Sequence, residues 1–214
     1  MHQHVIRKLM KAIELKVVSP DAFTRIKISN VSVEAWRNGG GTTRTLFAGR
    51  GWRVSVAEVI RDAEFSVFPG MARQSVVISG QGFDLTSPDR RIALRPAHVV
   101  GYDGGNRWST KVTTPSRVVN VMCETNSALA VVRTGFNIDV PRSDANVFIP
   151  VGSDLICTPA RWHKIPVCVR KGEALLTHSG LAWNMSVKAN ISRSSGSAYG
   201  VCVSIRSTTT ISSQ

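Results

Sequence analysis

The sequence predicts an all-β protein, and three observations lead to this prediction. From residue 23 onward, short runs rich in β-branched and aromatic residues are separated by Gly, Pro, Asn and Asp. Such runs recur about every 8–12 residues, a spacing typical of sandwiches and barrels. After Pro20 no stretch of about 10–15 residues has helical periodicity, which argues against alternating strands and helices. A chain of 214 residues is also long enough to bury a core without disulfides or metals.

Thirteen strands are predicted from these runs. In chain order they are residues 23–28, 42–47, 52–60, 74–79, 82–86, 98–102, 118–123, 129–133, 146–150, 155–158, 173–177, 183–189 and 199–205.

The run 52–60 shows the clearest alternation of a strand. Trp52 and Val56 share one face, and Arg53 and Ser55 share the other. Glu58 falls on the face of Trp52, where an ionised carboxylate is costly without a partner. If the protein is an enzyme, Glu58 is therefore its candidate general base.

Changes in composition divide the chain into four parts. Residues 1–20 form a basic, weakly helical or irregular segment that ends at Ser19-Pro20, and we expect it to be flexible. Turn-forming residues cluster at 134–144 and suggest a boundary there. We therefore predict a first barrel over 21–134, a second over 135–206, and a polar tail over 207–214.

The net charge of +13 raises the question of a nucleic-acid partner. Nine of the 13 excess positive charges lie in residues 1–16 and 161–214, and no aromatic-interleaved basic stripe accompanies them. Solvated ends explain this distribution, so nucleic acid is kept only as an alternative partner. The sequence is compatible with a homodimer.

Cysteine usage and hydropathy indicate the compartment. The four cysteines are far apart and form no CxxC pair, as is common in a reducing environment. No stretch approaches the roughly 20 apolar residues of a membrane span, and no signal-peptide core follows Met1. We expect a cytoplasmic protein without a membrane partner.

The segment Asn38-Gly39-Gly40-Gly41 is the most unusual local sequence. Glycines permit positive φ and expose backbone N–H groups that can cradle an anion. Arg44 follows closely, and its guanidinium fork suits a carboxylate. The alternative is a tight connection between two strands with exposed arginines.

A second dense segment runs from Phe65 to Arg73. Its Pro-Gly pair predicts a turn, Phe68 can wall an apolar pocket, and Arg73 supplies a positive charge. Asn120 and Met122 share one face of a later strand by parity, and Asn120 can orient a ligand. Each of these residues has an ordinary structural alternative as a core anchor or a partner for buried backbone.

The sequence shows no residue pattern typical of a metal site or of a catalytic nucleophile. The histidines are scattered, apart from His2 and His4 near the N-terminus, and the cysteines do not cluster with them. No GxSxG elbow is present. The sequence therefore predicts no metal site and no cofactor.

These segments resemble the HutD/Ves family. The resemblance rests on WRNGGGTTR, on the WRxSxA strand, on FSxFPGxxR, and on NxM, which here are residues 36–44, 52–57, 65–73 and 120–122. It covers residues 23–206 and is strongest in the first half. The resemblance implies a bicupin, meaning two packed cupin-type β-barrels, without the metal-binding histidines of cupin enzymes.

The resemblance also implies a function in histidine utilisation. We expect a non-enzymatic protein that senses or buffers a small carboxylate of the formylglutamate or urocanate class. The expected ligand-binding residues are Trp36, Asn38, Gly39, Arg44, Ser66, Phe68, Arg73, Asn120 and Met122. The alternatives are a metal-independent cupin isomerase or hydrolase that uses Glu58, and a basic nucleic-acid-binding protein.

The chain departs from the family pattern near the expected pocket. Ala72 replaces an acidic residue, Val118-Val119 replaces an Asp-Phe pair, and Cys123-Glu124 replaces a nearby arginine. These changes remove charges and leave the identity of the ligand open.

Overall fold

A computed structural model of the chain describes residues 23–160, 165–178, 180–188 and 198–208. Within these ranges it contains nineteen strands and one 3-10 turn, Ile28–Asn30. The all-β prediction is confirmed. No helix in the described ranges is long and apolar enough to cross a membrane. The predicted N-terminal segment 1–20 and residues 209–214 of the predicted tail lie outside the described residues.

The first barrel consists of two facing antiparallel sheets. The larger sheet has the order β2-β3-β4-β11-β6-β9 and the smaller has the order β5-β10-β7-β8. In chain order the strands are β2 (Glu34–Ala35), β3 (Gly41–Gly49), β4 (Trp52–Val59), β5 (Ala63–Glu64), β6 (Met71–Ser79), β7 (Phe83–Thr86), β8 (Arg91–Leu94), β9 (Val99–Asp103), β10 (Ser109–Lys111) and β11 (Ser116–Glu124).

The second barrel is built in the same way. Its larger sheet has the order β1-β17-β14-β19-β12, and its smaller sheet has the order β13-β18-β15-β16. The strands are β1 (Phe23–Lys27), β12 (Ala128–Gly135), β13 (Asn137–Val140), β14 (Ala145–Val151), β15 (Leu155–Pro159), β16 (Val167–Val169), β17 (Glu173–His178), β18 (Trp183–Val187) and β19 (Tyr199–Ser207).

The two barrels repeat one topology. The central strands of the larger sheets are ordered β4-β11-β6-β9 in the first barrel and β12-β19-β14-β17 in the second. In both, the strand that comes last in the chain lies between the two that come first: β11 lies between β4 and β6, and β19 lies between β12 and β14. The chain is therefore an internal duplication in structure, although no repeat is visible in its sequence.

Strand pairing places the boundary between the barrels elsewhere than the sequence predicts. β1 pairs with β17, and β12 pairs with β19 along its whole length. Residues 23–27 and 128–135, predicted in the first barrel, thus belong to the second. The chain passes between the barrels at residues 28–33 and again at the turn 125–127, while the turn-rich stretch 134–144 contains the end of β12 and all of β13 and lies inside the second barrel. Pairings so distant along the chain leave no local trace in the sequence.

Three hydrophobic cores are found in the part of the chain that the structure describes. Each barrel has its own interior, and a third core lies between the outer faces of the two larger sheets, with residues such as Val54, Val121, Val147 and Val203. Polar contacts reinforce this junction. The Gln74 side chain donates to the Ala130 carbonyl at 2.6 Å and accepts from the Val132 amide at 3.1 Å. Both faces of the central strands of the larger sheets are consequently buried over most of their length.

Every one of the thirteen predicted strands overlaps an observed strand. Six observed strands were not predicted, and all of them are two to four residues long: β2, β5, β8, β10, β13 and β16. Five of these six lie in the smaller sheets. Runs this short carry too few residues for alternation to be recognised.

Candidate functional site

The inner face of the first barrel's larger sheet carries a cross-strand row of four long side chains. Arg53 on β4 lies opposite Met122 on β11, Met122 lies opposite Arg73 on β6, and Arg73 lies opposite Tyr102 on β9. Cross-strand neighbours on one face have Cβ atoms about 5 Å apart, so their side chains contact each other. The register thus places two guanidinium groups on either side of Met122.

Arg73 is buried in an aromatic cage. It is only 7% exposed, and its Cζ atom lies 5.3 Å from the ring centroid of Phe65, 6.0 Å from that of Phe68 and 5.1 Å from that of Tyr102. Ring faces attract the guanidinium, but they leave its N–H edge without an acceptor. The buried Nε has no hydrogen-bond partner within the described ranges.

Gly104 makes room for the stem of Arg73. A Cβ atom at Gly104 would lie 3.1 Å from Cδ and 3.2 Å from Cγ of Arg73, and 2.7 Å from the carbonyl oxygen of Met71. Its amide donates to that carbonyl at 2.8 Å, and its own carbonyl accepts from Phe68. Because Gly104 has no side chain, the stem of Arg73 and the loop that carries Phe68 can both pack against its backbone.

Arg53 approaches the same place from the other side of Met122. Its Nη2 donates to Met122 Sδ at 3.2 Å, and its Cζ lies 5.8 Å from the ring centroid of Phe68. Burial lowers the pKa of Arg53, the charge of Arg73 lowers it further, and Glu34 raises it. Phe68 is thus shared by two cations that repel each other.

The two arginines lack an ion-pair partner in the part of the chain that the structure describes. The carboxylates that form salt bridges there, Asp84 and Glu173, pair with other arginines. Two desolvated positive charges held side by side favour the entry of an anion. This cluster of Arg53, Arg73, Phe68 and Tyr102 is called the arginine pocket below.

A second polar row forms the floor of the arginine pocket. Ser55, Asn120 and Ser75 lie opposite one another on β4, β11 and β6. The Ser75 hydroxyl donates to Asn120 Oδ1 at 2.6 Å and lies 2.9 Å from the Tyr102 hydroxyl. Because Oδ1 is engaged, the amide nitrogen of Asn120 is oriented as a donor, and it has no acceptor among the described residues.

The glycine-rich segment is a packed strand connection. Asn38 donates to the Glu64 carbonyl at 2.7 Å and accepts from the Gly40 amide at 3.0 Å, so both ends of its amide are used. Gly39 has a φ of 66°, and a Cβ atom there would collide with the Arg61 side chain. The structure therefore gives this segment the architectural role that the sequence left as an alternative.

The remaining sequence-predicted residues are dispersed. Arg44 lies on the outer face of β3, where it donates to the carbonyl oxygens of Ser29 and Val31. Ser66 is exposed. Trp36 donates to Thr43 at 2.8 Å and packs edge-on against Phe65, so it supports the aromatic cage from behind.

Glu58 does not face the interior of the barrel. It is exposed, and it lies on the face of β4 opposite to Arg53 and Ser55. At the end of the strand, that face extends past the junction between the barrels and reaches solvent. The geometry thus offers no buried position for Glu58 as a general base.

Of the nine predicted ligand residues, the structure brings Phe68, Arg73, Asn120 and Met122 together. It adds Arg53 and Tyr102, which the sequence did not nominate. The parity of the run 52–60 already separated Arg53 from Trp52, but it could not show which face was the interior. Tyr102 becomes visible only through its register with Arg73. Within the described ranges, no group of three His, Cys, Asp or Glu side chains gathers.

Comparison with known proteins adds a family and a fold. A sequence model described as HutD matches residues 29–190 of this chain. HutD from Pseudomonas fluorescens SBW25, in a formate condition, has a TM-score of 0.72 at 18% identity and covers 88% of this chain and 100% of its own. A conserved protein of unknown function from Pseudomonas aeruginosa PAO1 has a TM-score of 0.73 at 17% identity with the same coverage.

A cupin 2 conserved barrel domain protein from Leptotrichia buccalis is also similar. Its TM-score is 0.56 at 8% identity, over 93% of this chain and 100% of that protein. At this level of identity the likeness concerns the fold alone. Together with the two barrels of matching topology, it confirms the predicted bicupin.

Proposed function

The chain belongs to the HutD family, as its motifs predicted, and from that premise we propose that its first barrel binds a small carboxylate of histidine utilisation. The ligand class is that of formylglutamate or urocanate, and the protein senses or buffers it without transforming it. The four cysteines carry free thiols, which is compatible with a reducing, cytoplasmic location.

One observation carries the proposal. The arginine pocket holds two guanidinium groups with no carboxylate partner among the described residues, one of them only 7% exposed. A buried charge is costly unless it is paired. An anionic ligand that pairs with Arg73 would therefore lower the free energy of the protein. A planar carboxylate matches the fork of either guanidinium, and Asn120 adds a neutral donor.

The expected affinity is moderate. Each charge-assisted hydrogen bond contributes about 1.5–3 kcal/mol, and association costs at least about 4 kcal/mol. Three or four such bonds therefore leave up to about 8 kcal/mol, and with a planar ligand packed against Phe68 the expected dissociation constant lies between the millimolar and the micromolar range. HutD from Pseudomonas fluorescens SBW25 was studied in a formate condition, so formate belongs among the test ligands.

Isothermal titration calorimetry tests the proposal. The ligands are formate, formylglutamate, urocanate and glutamate, with phosphate as an anion of different shape. We expect a planar carboxylate to bind and Arg73→Met to weaken it by about 100-fold. Arg37→Met, which makes the same change on an exposed loop, is the matched control and leaves the affinity unchanged.

Two results would contradict the proposal. One is that no carboxylate of the panel binds to the wild-type protein. The other is that Arg73→Met and Arg37→Met bind equally well, which would place the carboxylate outside the arginine pocket. Binding of phosphate in preference to every carboxylate would retain an anion site but overturn the proposed ligand class.

A further inference from the structure

The second barrel contains a polar row of its own. Ser204 on β19, Asn146 on β14 and Thr177 on β17 lie opposite one another, and all three face the interior of that barrel. Their exposed fractions are 5%, 0% and 1%. The row crosses the larger sheet from β19 to β17, as the row Ser55, Asn120 and Ser75 crosses the larger sheet of the first barrel from β4 to β6.

Unlike the polar row of the first barrel, this row has no hydrogen bonds between the side chains of Asn146 and Thr177. Oδ1 and Nδ2 of Asn146 and Oγ1 of Thr177 all lack a hydrogen-bond partner in the described part of the chain. In the first barrel, by contrast, the Asn120 Oδ1 accepts from Ser75. Leaving a buried amide unpaired costs about 1–3 kcal/mol for each group, so native proteins rarely tolerate such a cluster without a bound molecule.

A further donor belongs to the same interior. The ring of Trp183 lies 5.8 Å from that of Phe148, which is two residues along β14 from Asn146 on the same face. The buried Nε1 of Trp183 also has no partner within the described ranges. Three side chains of the second barrel thus hold unpaired donors and acceptors in an interior that is otherwise apolar.

The row lies just inside the rim of the barrel. At its two ends, Val131 and Phe23 are 37% and 46% exposed. One step outward, Asp144 and Arg206 are exposed. A small molecule therefore has to cross only one layer of residues to reach Asn146.

The chemistry of the row favours a neutral ligand. The side chain of Asn146 offers one donor and one acceptor side by side, and the edge that matches it is another carboxamide. Burial raises the pKa of the nearby Cys202 thiol to about 12, although Ser204 and the charge of Arg133 lower it, so desolvation outweighs that charge and disfavours an anionic group. Arg133 is half-buried, so water screens its charge more than that of Arg73, and its buried Nη1, which also has no partner among the described residues, supplies one further donor.

From the orphaned amide of Asn146 and the duplicated topology, we propose that the second barrel is a binding site for small neutral carboxamides. Asn146 pairs with the amide edge of the ligand, and Thr177 and Trp183 bind its remaining polar atoms. This site is separate from the arginine pocket, because the two lie in different barrels.

The test compares two matched variants against two ligand classes. Acetamide and propionamide probe the second barrel, and formate and acetate probe the arginine pocket, by NMR line broadening and by crystal soaks. We expect acetamide to bind with a dissociation constant of about 1 mM, as befits a four-atom ligand. Asn146→Leu should abolish amide binding and leave carboxylate binding unchanged, and Asn120→Leu should do the reverse.

Thermal unfolding supplies a readout that is independent of any ligand. Asn146→Leu removes two unpaired polar atoms and keeps the volume, so at about 1 kcal/mol or more for each atom the melting temperature should rise by at least about 4 °C. A crystal soak that shows only ordered water at Asn146, or acetate there in place of acetamide, would overturn the amide site. An effect of Asn146→Leu on carboxylate binding would overturn the separation of the two sites.

Discussion

The substitution Arg73→Met separates stability from ligand binding in the first barrel. Methionine retains the apolar stem beside Gly104 but removes the charge. The Cζ atoms of Arg53 and Arg73 lie 5.8 and 6.0 Å from the same ring centroid, so they are at most about 12 Å apart. With an effective dielectric constant of about 20, their repulsion is at least about 1.4 kcal/mol.

Two further terms decide the sign of the stability change. Removing the guanidinium relieves the desolvation of a buried, unpaired charge, which costs up to several kcal/mol. The lost cation–π contacts with three rings, at about 0.5–1 kcal/mol each, are largely replaced by contacts of the methionine sulfur with the same rings. We expect the ligand-free variant to be more stable than wild type by about 1–2 kcal/mol.

Differential scanning calorimetry without ligand measures this gain. For a chain of this size, 1–2 kcal/mol corresponds to a rise of about 3–6 °C in melting temperature. Arg73→Lys is the control: it keeps the charge, so it should not be stabilised, and it loses affinity because an ammonium lacks the planar fork. A ligand-free Arg73→Met protein that melts several degrees below wild type would refute the reasoning, because the charge would then be satisfied within the fold.

Three other predictions concern separate parts of the molecule. Gly104→Ala should displace the stem of Arg73 and weaken carboxylate binding at least tenfold by calorimetry, because its Cβ would lie about 3.1 Å from Cδ. Burial lowers the pKa of His178 below its usual value of 6.5, so the unfolded chain takes up the proton first. The free energy of unfolding, from urea titrations, should therefore fall as the pH drops below about 6.5, and His178→Gln should lose that part of the pH dependence. Cys168 is half-buried, whereas burial raises the pKa of Cys202 to about 12, so an aromatic disulfide reagent at pH 8 should label Cys168 in the native protein and spare Cys202.

The sequence predicted the strands well because most of them are long and alternate. It did not identify the interior face of a strand when both faces of that strand are buried. In the run 52–60, the face of Trp52 looks like a barrel interior, but it packs between the two larger sheets. The interior face is the one with Arg53 and Ser55. An apolar pattern cannot distinguish a barrel interior from a junction between barrels, so Arg53 was missed and Glu58 was nominated.

The site was predicted in part for a related reason. Four residues of the candidate site lie in motifs that can be recognised in the sequence, namely Phe68, Arg73, Asn120 and Met122. The glycine-rich segment is equally conspicuous, yet its amides are used locally, since Asn38 closes on Gly40 and the Glu64 carbonyl. Local composition shows that a backbone is unusual. It does not show whether the reason is a ligand or a close approach of two strands.

The first strand of the described residues completes the larger sheet of the second barrel, because Phe23–Lys27 pairs with Glu173–His178. During synthesis this strand emerges before the rest of its sheet and has no partner until some 150 residues later, so closure of the second barrel is a late, long-range step. Cutting the chain between the barrels would leave the C-terminal fragment with an open sheet edge that invites aggregation. A circular permutant that carries residues 23–27 behind the second barrel would turn that pairing into a local one and would let each half fold by itself.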